Sequence, residues 1–113
     1  MMHDILLVDD HRIMRDGIRD ILKASGEFNV IGEADTGLEA VTMTRSFRPT
    51  LVLMDIHLPG LNGIEATVEI LRYNPETRVV ILSMYEDENS VVQAIRSGAR
   101  AFVMKKAGDT ELM

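Results

Sequence analysis

Five polar side chains stand at the ends of four short apolar runs, and together they could hold a divalent cation and a phosphoryl group. Asp9 and Asp10 follow Ile5-Leu6-Leu7-Val8, and Asp55 follows Leu51-Val52-Leu53-Met54. Ser83 follows Val79-Val80-Ile81-Leu82, and Lys105 follows Phe102-Val103-Met104. Short apolar runs of this kind read as buried strands. In an open parallel α/β sheet, sites form just beyond the carboxyl ends of the strands. The four runs therefore predict three carboxylates, a hydroxyl and an ammonium along one sheet edge.

Adjacent carboxylates repel each other, and a hard dication relieves that repulsion. Mg²⁺ keeps several waters and takes one or two carboxylates together with phosphate oxygens. Asp10 and Asp55 are the expected direct ligands, with Asp9 holding a metal-bound water and the backbone carbonyl of His57 placed to contribute. Taken alone, Asp9 and Asp10 could simply cap a helix; beside Asp55 the metal reading is preferred. The Asp55 carboxylate is a candidate nucleophile toward phosphorus, giving an acyl phosphate. In such transfers the protein mainly positions groups and neutralises charge. Lys105 would bring a compact ammonium to one phosphoryl oxygen, and Ser83 a hydroxyl to another. Separately, each of these two reads as a surface lysine and a turn hydroxyl; their joint placement at strand ends favours the site.

Other chemistries are less well supported. Three histidines are present, but there is no HExxH or paired-His spacing, and His3 sits at the terminus. His11 is expected in the first turn of a helix and His57 at the rim of the pocket, so a histidine-ligated metal is not expected. Neither G-x-x-x-x-G-K-[ST] nor G-x-G-x-x-G occurs, so a phosphoryl donor must come from outside the chain.

The elements that would position these groups alternate along the chain. Strands are predicted at about 4–8, 28–34, 50–55, 78–83 and 101–105. Helices are predicted at about 11–25, 37–47, 63–73 and 87–97, with a stub from 108. This alternation implies a parallel sheet covered by helices on both faces. Strand two, Phe28 to Ala34, is mixed and reads as an edge. Thr36 with Glu39 predicts a capping box, and Asn62 with Glu65 a weaker version of it. Asp87 and Glu88 suit the start of the fourth helix. Gly26 and Gly98 suit helix ends, Pro49 and Pro75 separate helix from strand, and Pro59-Gly60 marks a turn after Asp55. The first helix is expected to pack through Ile13, Ile18, Ile21 and Leu22, leaving Arg12, Arg15, Arg19 and Lys23 elsewhere. Gly108 to Met113 is too short for a complete helix. A fifth helix is needed to cover the last strand, so the chain is expected to have been cut from a longer parent.

Bulk properties narrow the function classes. The 113 residues predict one domain with a normal core. There is no cysteine, which excludes disulfides and thiolate metal sites and suggests a cytoplasmic location. No apolar stretch approaches a membrane span, and no signal peptide is evident. A net charge of −6 argues against direct, non-specific nucleic-acid binding by this domain.

These motifs carry a resemblance. Leu7-Val8-Asp9-Asp10-His11, the block from Leu53 through Asp55, Pro59 and Gly63, Leu82-Ser83-Met84 and Phe102-Val103-Met104-Lys105 together resemble a response-regulator receiver domain of a two-component system. Arg15 with Gly17, Gly32-Glu33-Ala34, Gly37 with Glu39-Ala40, Gly63-Ile64-Glu65-Ala66 and Ser97-Gly98-Ala99 are similar to its NarL/FixJ (LuxR-type) branch. The likeness runs from about residue 4 to 113.

The resemblance implies a flavodoxin-like (βα)₅ doubly wound parallel sheet of strand order 2-1-3-4-5, an order for which receivers are a standard example. Its fifth helix would be truncated here. It implies Mg²⁺-dependent phosphorylation of Asp55 by a sensor histidine kinase or a small phosphodonor. It implies a switch in which the Ser83 hydroxyl moves toward the phosphoryl group and Phe102 turns inward. The α4–β5–α5 face would then change, and either a homodimer of receivers or an output domain would respond. A helix-turn-helix output domain is expected in the parent protein, so DNA would be reached only through that missing part. Two departures stand out: Lys106 follows Lys105 where the family often has proline or aspartate, and Phe102 lacks the hydroxyl of the commoner tyrosine. The alternative from another class is a small Mg²⁺-dependent phosphohydrolase with an aspartyl nucleophile. A D-x-D enzyme of that kind would want an acid where His11 stands.

Overall fold

The computed structural model describes residues 3–83 and 88–104. Along the chain run β1 (His3–Val8), α1 (Arg12–Ser25), β2 (Phe28–Ala34), α2 (Gly37–Phe47), β3 (Leu51–Asp55), α3 (Gly63–Tyr73), β4 (Arg78–Ser83), α4 (Glu88–Arg96) and β5 (Ala101–Met104). The strands form one sheet in the order β2-β1-β3-β4-β5, every neighbouring pair parallel. The flavodoxin-like fold and its strand order are thus as expected. The expectations for Asp87, Lys105, Lys106 and the stub from Gly108 lie outside the described residues.

The apolar runs make sense once their alternation is followed. Successive strand side chains point to opposite faces. Leu6, Val8, Val52, Met54, Val79 and Ile81 join one core with Ala40, Ala66, Ile70 and Ala94 of α2, α3 and α4. Ile5, Leu7, Leu53 and Leu82 join another with Ile18 and Leu22 of α1. Strand positions buried on both faces leave no place for a polar residue, which is why Ile5–Val8 of β1, Leu51–Met54 of β3 and Val79–Leu82 of β4 are continuously apolar. Burying one such Leu or Ile contributes roughly 1.5–3 kcal/mol. β2 lies at the sheet edge and is correspondingly mixed. Its register with β1 shifts between Ile5 and Leu6, where the partner jumps from Val30 to Gly32.

One packing expectation fails. Ile13 is 88% exposed, and α1 packs instead through Met14, Ile18 and Leu22, with Ile21 half-buried. Five residues separate Ile13 from Ile18, which at 3.6 residues per turn sets the two roughly 140° apart around the helix. The stripe that meets the sheet instead repeats every fourth residue from Met14.

The helix ends also reorder one expectation. Asn62 and Glu65 form the complete capping box: Glu65 N–H donates to Asn62 Oδ1 at 2.9 Å, and Asn62 N–H donates to Glu65 Oε1 at 3.0 Å. At α2, Glu39 N–H donates to Thr36 Oγ1, but the Glu39 carboxylate accepts from Asp35 N–H, one residue further back. The pair ranked weaker in the sequence is therefore the reciprocal one. Gly26 and Gly98, both left-handed, close α1 and α4.

Candidate functional site

The sheet delivers its acids to one edge. β1 and β3 are direct neighbours, with Val8 opposite Met54, so the residues that follow, Asp9 and Asp55, end side by side. Both are almost fully buried, Asp9 at 3% and Asp55 at 4% exposure. Asp55 pairs with Leu82 of β4, which brings Ser83, also buried, to the same edge. One carboxylate oxygen each of Asp9, Asp10 and Asp55, together with a ring nitrogen of His11, lie within 4.8 Å of one another.

Burying two carboxylates beside a third is costly unless charge compensation is available. Part of it comes from the β1–α1 junction. His11 N–H donates to Asp9 Oδ1 at 2.9 Å, and His11 Nδ1 lies 3.1 Å from Asp9 Oδ1 and 3.0 Å from Asp10 Oδ1. His11 is the N-cap of α1 in extended conformation, one residue before the helical turn in which it was expected, and its side chain makes no capping bond. Asp9 therefore accepts from the N-cap residue itself and not from the first helical turn, so it does not act as a helix cap. A set of hard carboxylate oxygens this close together suits a divalent cation, and the residues present fit Mg²⁺ in that respect.

A second layer holds this junction. Arg15 donates from Nη1 to the Asp9 carbonyl oxygen and from Nε to Glu33 Oε1 at 3.1 Å. Arg19 donates from Nη1 to Glu33 Oε2 at 2.8 Å and pairs with Asp16 at 3.2 Å. The bond to Glu33 raises the Arg19 guanidinium further above its ordinary pKa. Sequence reading placed Arg15 and Arg19 away from the packing side and missed this bridge from α1 to β2. The available signal was spacing: Arg15, Ile18 and Leu22 recur at three and four residues, so Arg15 shares the inward stripe.

The loop after Asp55 is set by close backbone contact. Gly63 N–H donates to the Ile56 carbonyl at 2.9 Å, and a Cβ on Gly63 would stand 2.1 Å from the Asp55 carbonyl oxygen. Glycine is thus required for α3 to begin this near the strand end. His57 lies on this loop and is exposed, as expected for the rim. Phe102 is half-buried against the core that also holds Ile81, its partner on β4. Ser83 follows Ile81 by two residues, so alternation puts Ser83 and Phe102 on one face of the sheet. Lys105 lies outside the described residues.

The family model described as the response regulator receiver domain matches residues 5–113. The chain belongs to the response-regulator receiver family. Its relatives are NarL- and LuxR-type response regulators. This receiver is 34% identical over 102 residues to the transcriptional regulatory protein DegU of Brevibacillus brevis, an alignment covering 90% of this chain and 43% of DegU. The chain spans about half the length of the curated relatives it matches. Among solved structures it is similar to a LuxR-family two-component response regulator from Aurantimonas sp. SI85-9A1, with a TM-score of 0.93 and 35% identity, over 99% of this chain and 80% of that one. It also resembles a chain of the CheX–CheY–BeF3–Mg complex from Borrelia burgdorferi, with a TM-score of 0.86 and 28% identity, over 92% of this chain and 78% of that one. No helix among the described residues is long and apolar enough to cross a membrane.

Proposed function

We propose that this receiver is a phosphorylation-activated signalling switch whose phosphoacceptor is Asp55. The observation that carries the reading is the convergence of Asp9, Asp10 and Asp55 within 4.8 Å at the carboxyl edge of the sheet, beside buried Ser83. An Asp55 carboxylate oxygen attacks the phosphorus of a phosphohistidine on a sensor kinase, or of a small phosphodonor. An O–P bond forms and the bond from phosphorus to the donor breaks; the leaving atom keeps that electron pair and takes up a proton. Mg²⁺, held by Asp10, Asp55 and the His57 carbonyl, with Asp9 acting through water, would neutralise charge on the carboxylates and on the phosphoryl oxygens. Ser83 donates its hydroxyl to one phosphoryl oxygen and Lys105 its ammonium to another.

The output follows from the shared face of Ser83 and Phe102. Movement of the Ser83 hydroxyl toward the phosphoryl group frees space into which the half-buried Phe102 ring turns. The face that includes α4 and β5 changes with it. Homodimer formation or release of a helix-turn-helix output domain in the parent protein is the response, and transcription is the regulated process; naming of relatives such as DegU as transcriptional regulators supports this. The BeF3 and Mg named in the Borrelia complex support Mg²⁺ and a phosphoryl-like group as the ligands of this pocket.

Intact mass after incubation with acetyl phosphate tests the reading, with and without Mg²⁺ and beside Asp55→Asn. One Mg²⁺-dependent phosphoryl adduct per chain, absent from the variant, is expected. No adduct on folded protein would overturn it, and release of many phosphates per chain would indicate a hydrolase instead.

A further inference from the structure

The edge strand β2 does not alternate evenly. Phe28 and Val30 pack on the core that holds Ile18 and Leu22 of α1. From Gly32 onward the faces exchange: Gly32 lies against Met43 and Phe47 of α2, and Ala34 belongs to the core on that side. The register explains the exchange. Ile5 of β1 pairs with Val30, but Leu6 pairs with Gly32, so Ile31 is one extra residue, a bulge. Even alternation from Val30 would send Glu33 to the α2 face. The bulge instead sets Glu33 opposite Leu7, on the α1 face, where it meets Arg15.

We propose that this bulge serves phosphorylation: it aims Glu33 at Arg15, and Arg15 is the positioning residue that sets the direction of the Asp10 carboxylate through the Asp9–Asp10 peptide. This rests on the reading of Asp55 as phosphoacceptor and adds to it a residue pair outside the acidic cluster. Bulges re-aim side chains in this way and are frequent beside active sites.

The backbone at Asp9 shows how the pair acts. A peptide unit is planar, so holding its carbonyl orients the whole unit. The unit between Asp9 and Asp10 sets ψ of the first and φ of the second, and with them the direction in which Asp10 leaves the chain. Asp9 N–H donates to the Ala34 carbonyl of β2 at 3.0 Å. Arg15 Nη1 donates to the Asp9 carbonyl, and Arg15 Nε donates to Glu33 Oε1 at 3.1 Å. Both anchors of Asp9 therefore lead to β2, one directly and one through Arg15. Asp10 is exposed whereas Asp9 and Asp55 are buried, so repulsion among the three acids drives Asp10 toward solvent. A fixed peptide plane opposes that swing.

The task needs an arginine. Its planar fork donates in two directions at once, here to a carbonyl and to a carboxylate, whereas a lysine ammonium is a single charge on a flexible stem. Arg19 also donates to Glu33, at 2.8 Å, and pairs with Asp16. It is 41% exposed against 15% for Arg15, and it serves as the control.

The test measures two quantities for the unmutated chain, Arg15→Lys, Glu33→Gln and Arg19→Ala. One is the rate of phosphorylation by acetyl phosphate at saturating Mg²⁺, followed by intact mass. The other is Mg²⁺ affinity by calorimetric titration with no phosphodonor present. Circular dichroism sets a temperature at which each variant is fully folded, which separates reactivity from stability. Arg15→Lys is expected to lose about tenfold in both quantities. Glu33→Gln is expected to lose about threefold in both, because its amide oxygen still accepts from Nε but without the charge. Arg19→Ala should stay within about twofold in both. Unchanged rate and affinity in folded Arg15→Lys would overturn the positioning role and leave Arg15 a stabilising residue; should that variant not fold, unchanged values in Glu33→Gln would do the same. Equal losses in all three variants would assign the effect to the charge of the network and also overturn it. No adduct on the unmutated chain would remove the phosphoacceptor reading and this one with it.

Discussion

The carbonyl oxygen of Asp55 occupies the space where a Cβ on Gly63 would stand, 2.1 Å from it. The end of β3 and the start of α3 are therefore locked at backbone contact, with Gly63 N–H bonded to the Ile56 carbonyl. Gly63→Ala is expected to cost about 2–3 kcal/mol, because neither backbone can yield without breaking the turn. Urea unfolding monitored by circular dichroism checks the loss. An unchanged midpoint would mean the loop relaxes freely.

Asp10→Asn is expected to stabilise the ion-free chain by about 1 kcal/mol, because it removes one of three mutually repelling carboxylates. Excess Mg²⁺ is expected to raise the melting temperature of the unmutated chain, and the same substitution should abolish that rise, since only an ion that binds the native state stabilises it. Thermal unfolding with and without MgCl₂ reads both effects. A variant less stable without ion, or still stabilised by Mg²⁺, would contradict the placement of Asp10 among the ligands.

Arg15→Ala should destabilise the fold by about 1–2 kcal/mol. It leaves the Asp9 carbonyl without that donor and removes one of the two arginines on Glu33. Arg19→Ala should cost clearly less, because Arg19 is more exposed and its pairs are screened. Denaturation of the two variants side by side decides the order. Equal costs would reduce Arg15 to a surface pair.

Gly17 lies within α1 with nothing within 4 Å of an added Cβ. Gly17→Ala should stabilise the chain by about 0.5–1 kcal/mol, by restricting the unfolded backbone and favouring helix. A higher melting temperature with phosphorylation by acetyl phosphate unchanged is the expected result.

His57 sits exposed on the rim, and Tyr85 follows β4 by two residues outside the described segment. Rings at these positions are expected to shield the acyl phosphate from water and slow its hydrolysis. The double variant His57→Ala, Tyr85→Ala should lose phosphate several-fold faster in a discharge assay with radiolabelled phosphoprotein. An unaltered lifetime would assign the rate to other groups.

Much of this was legible from local pattern. Leu51 to Met54 could be read as a doubly buried strand because no position in it is polar, and that one feature set Asp55 at a strand tip. The caps at Thr36, Asn62 and Gly98 were readable because capping depends on residues three or four apart. Ile13 was misread because a helix segment rich in isoleucine allows more than one apolar stripe. Only the contact with β1 and β2 selected the stripe through Met14, Ile18 and Leu22. The relative strength of the two capping boxes was likewise invisible, since it turns on whether Glu39 reaches Thr36 or the residue before it.

By itself, then, the amino-acid sequence determined which groups reach the edge of the sheet, because strand length and apolar alternation are local properties. Tertiary structure decided which of those groups meet. The parallel pairing of β1 with β3 set Asp9 beside Asp55 across 46 positions of chain, 55 less 9. The extended backbone at His11 turned its imidazole into the acids, and the packing of α1 on β2 carried Arg15 to Glu33 and the Asp9 carbonyl. Distances of this kind depend on how elements dock, and docking is settled by the summed burial of many apolar side chains and not by the residues that do the chemistry.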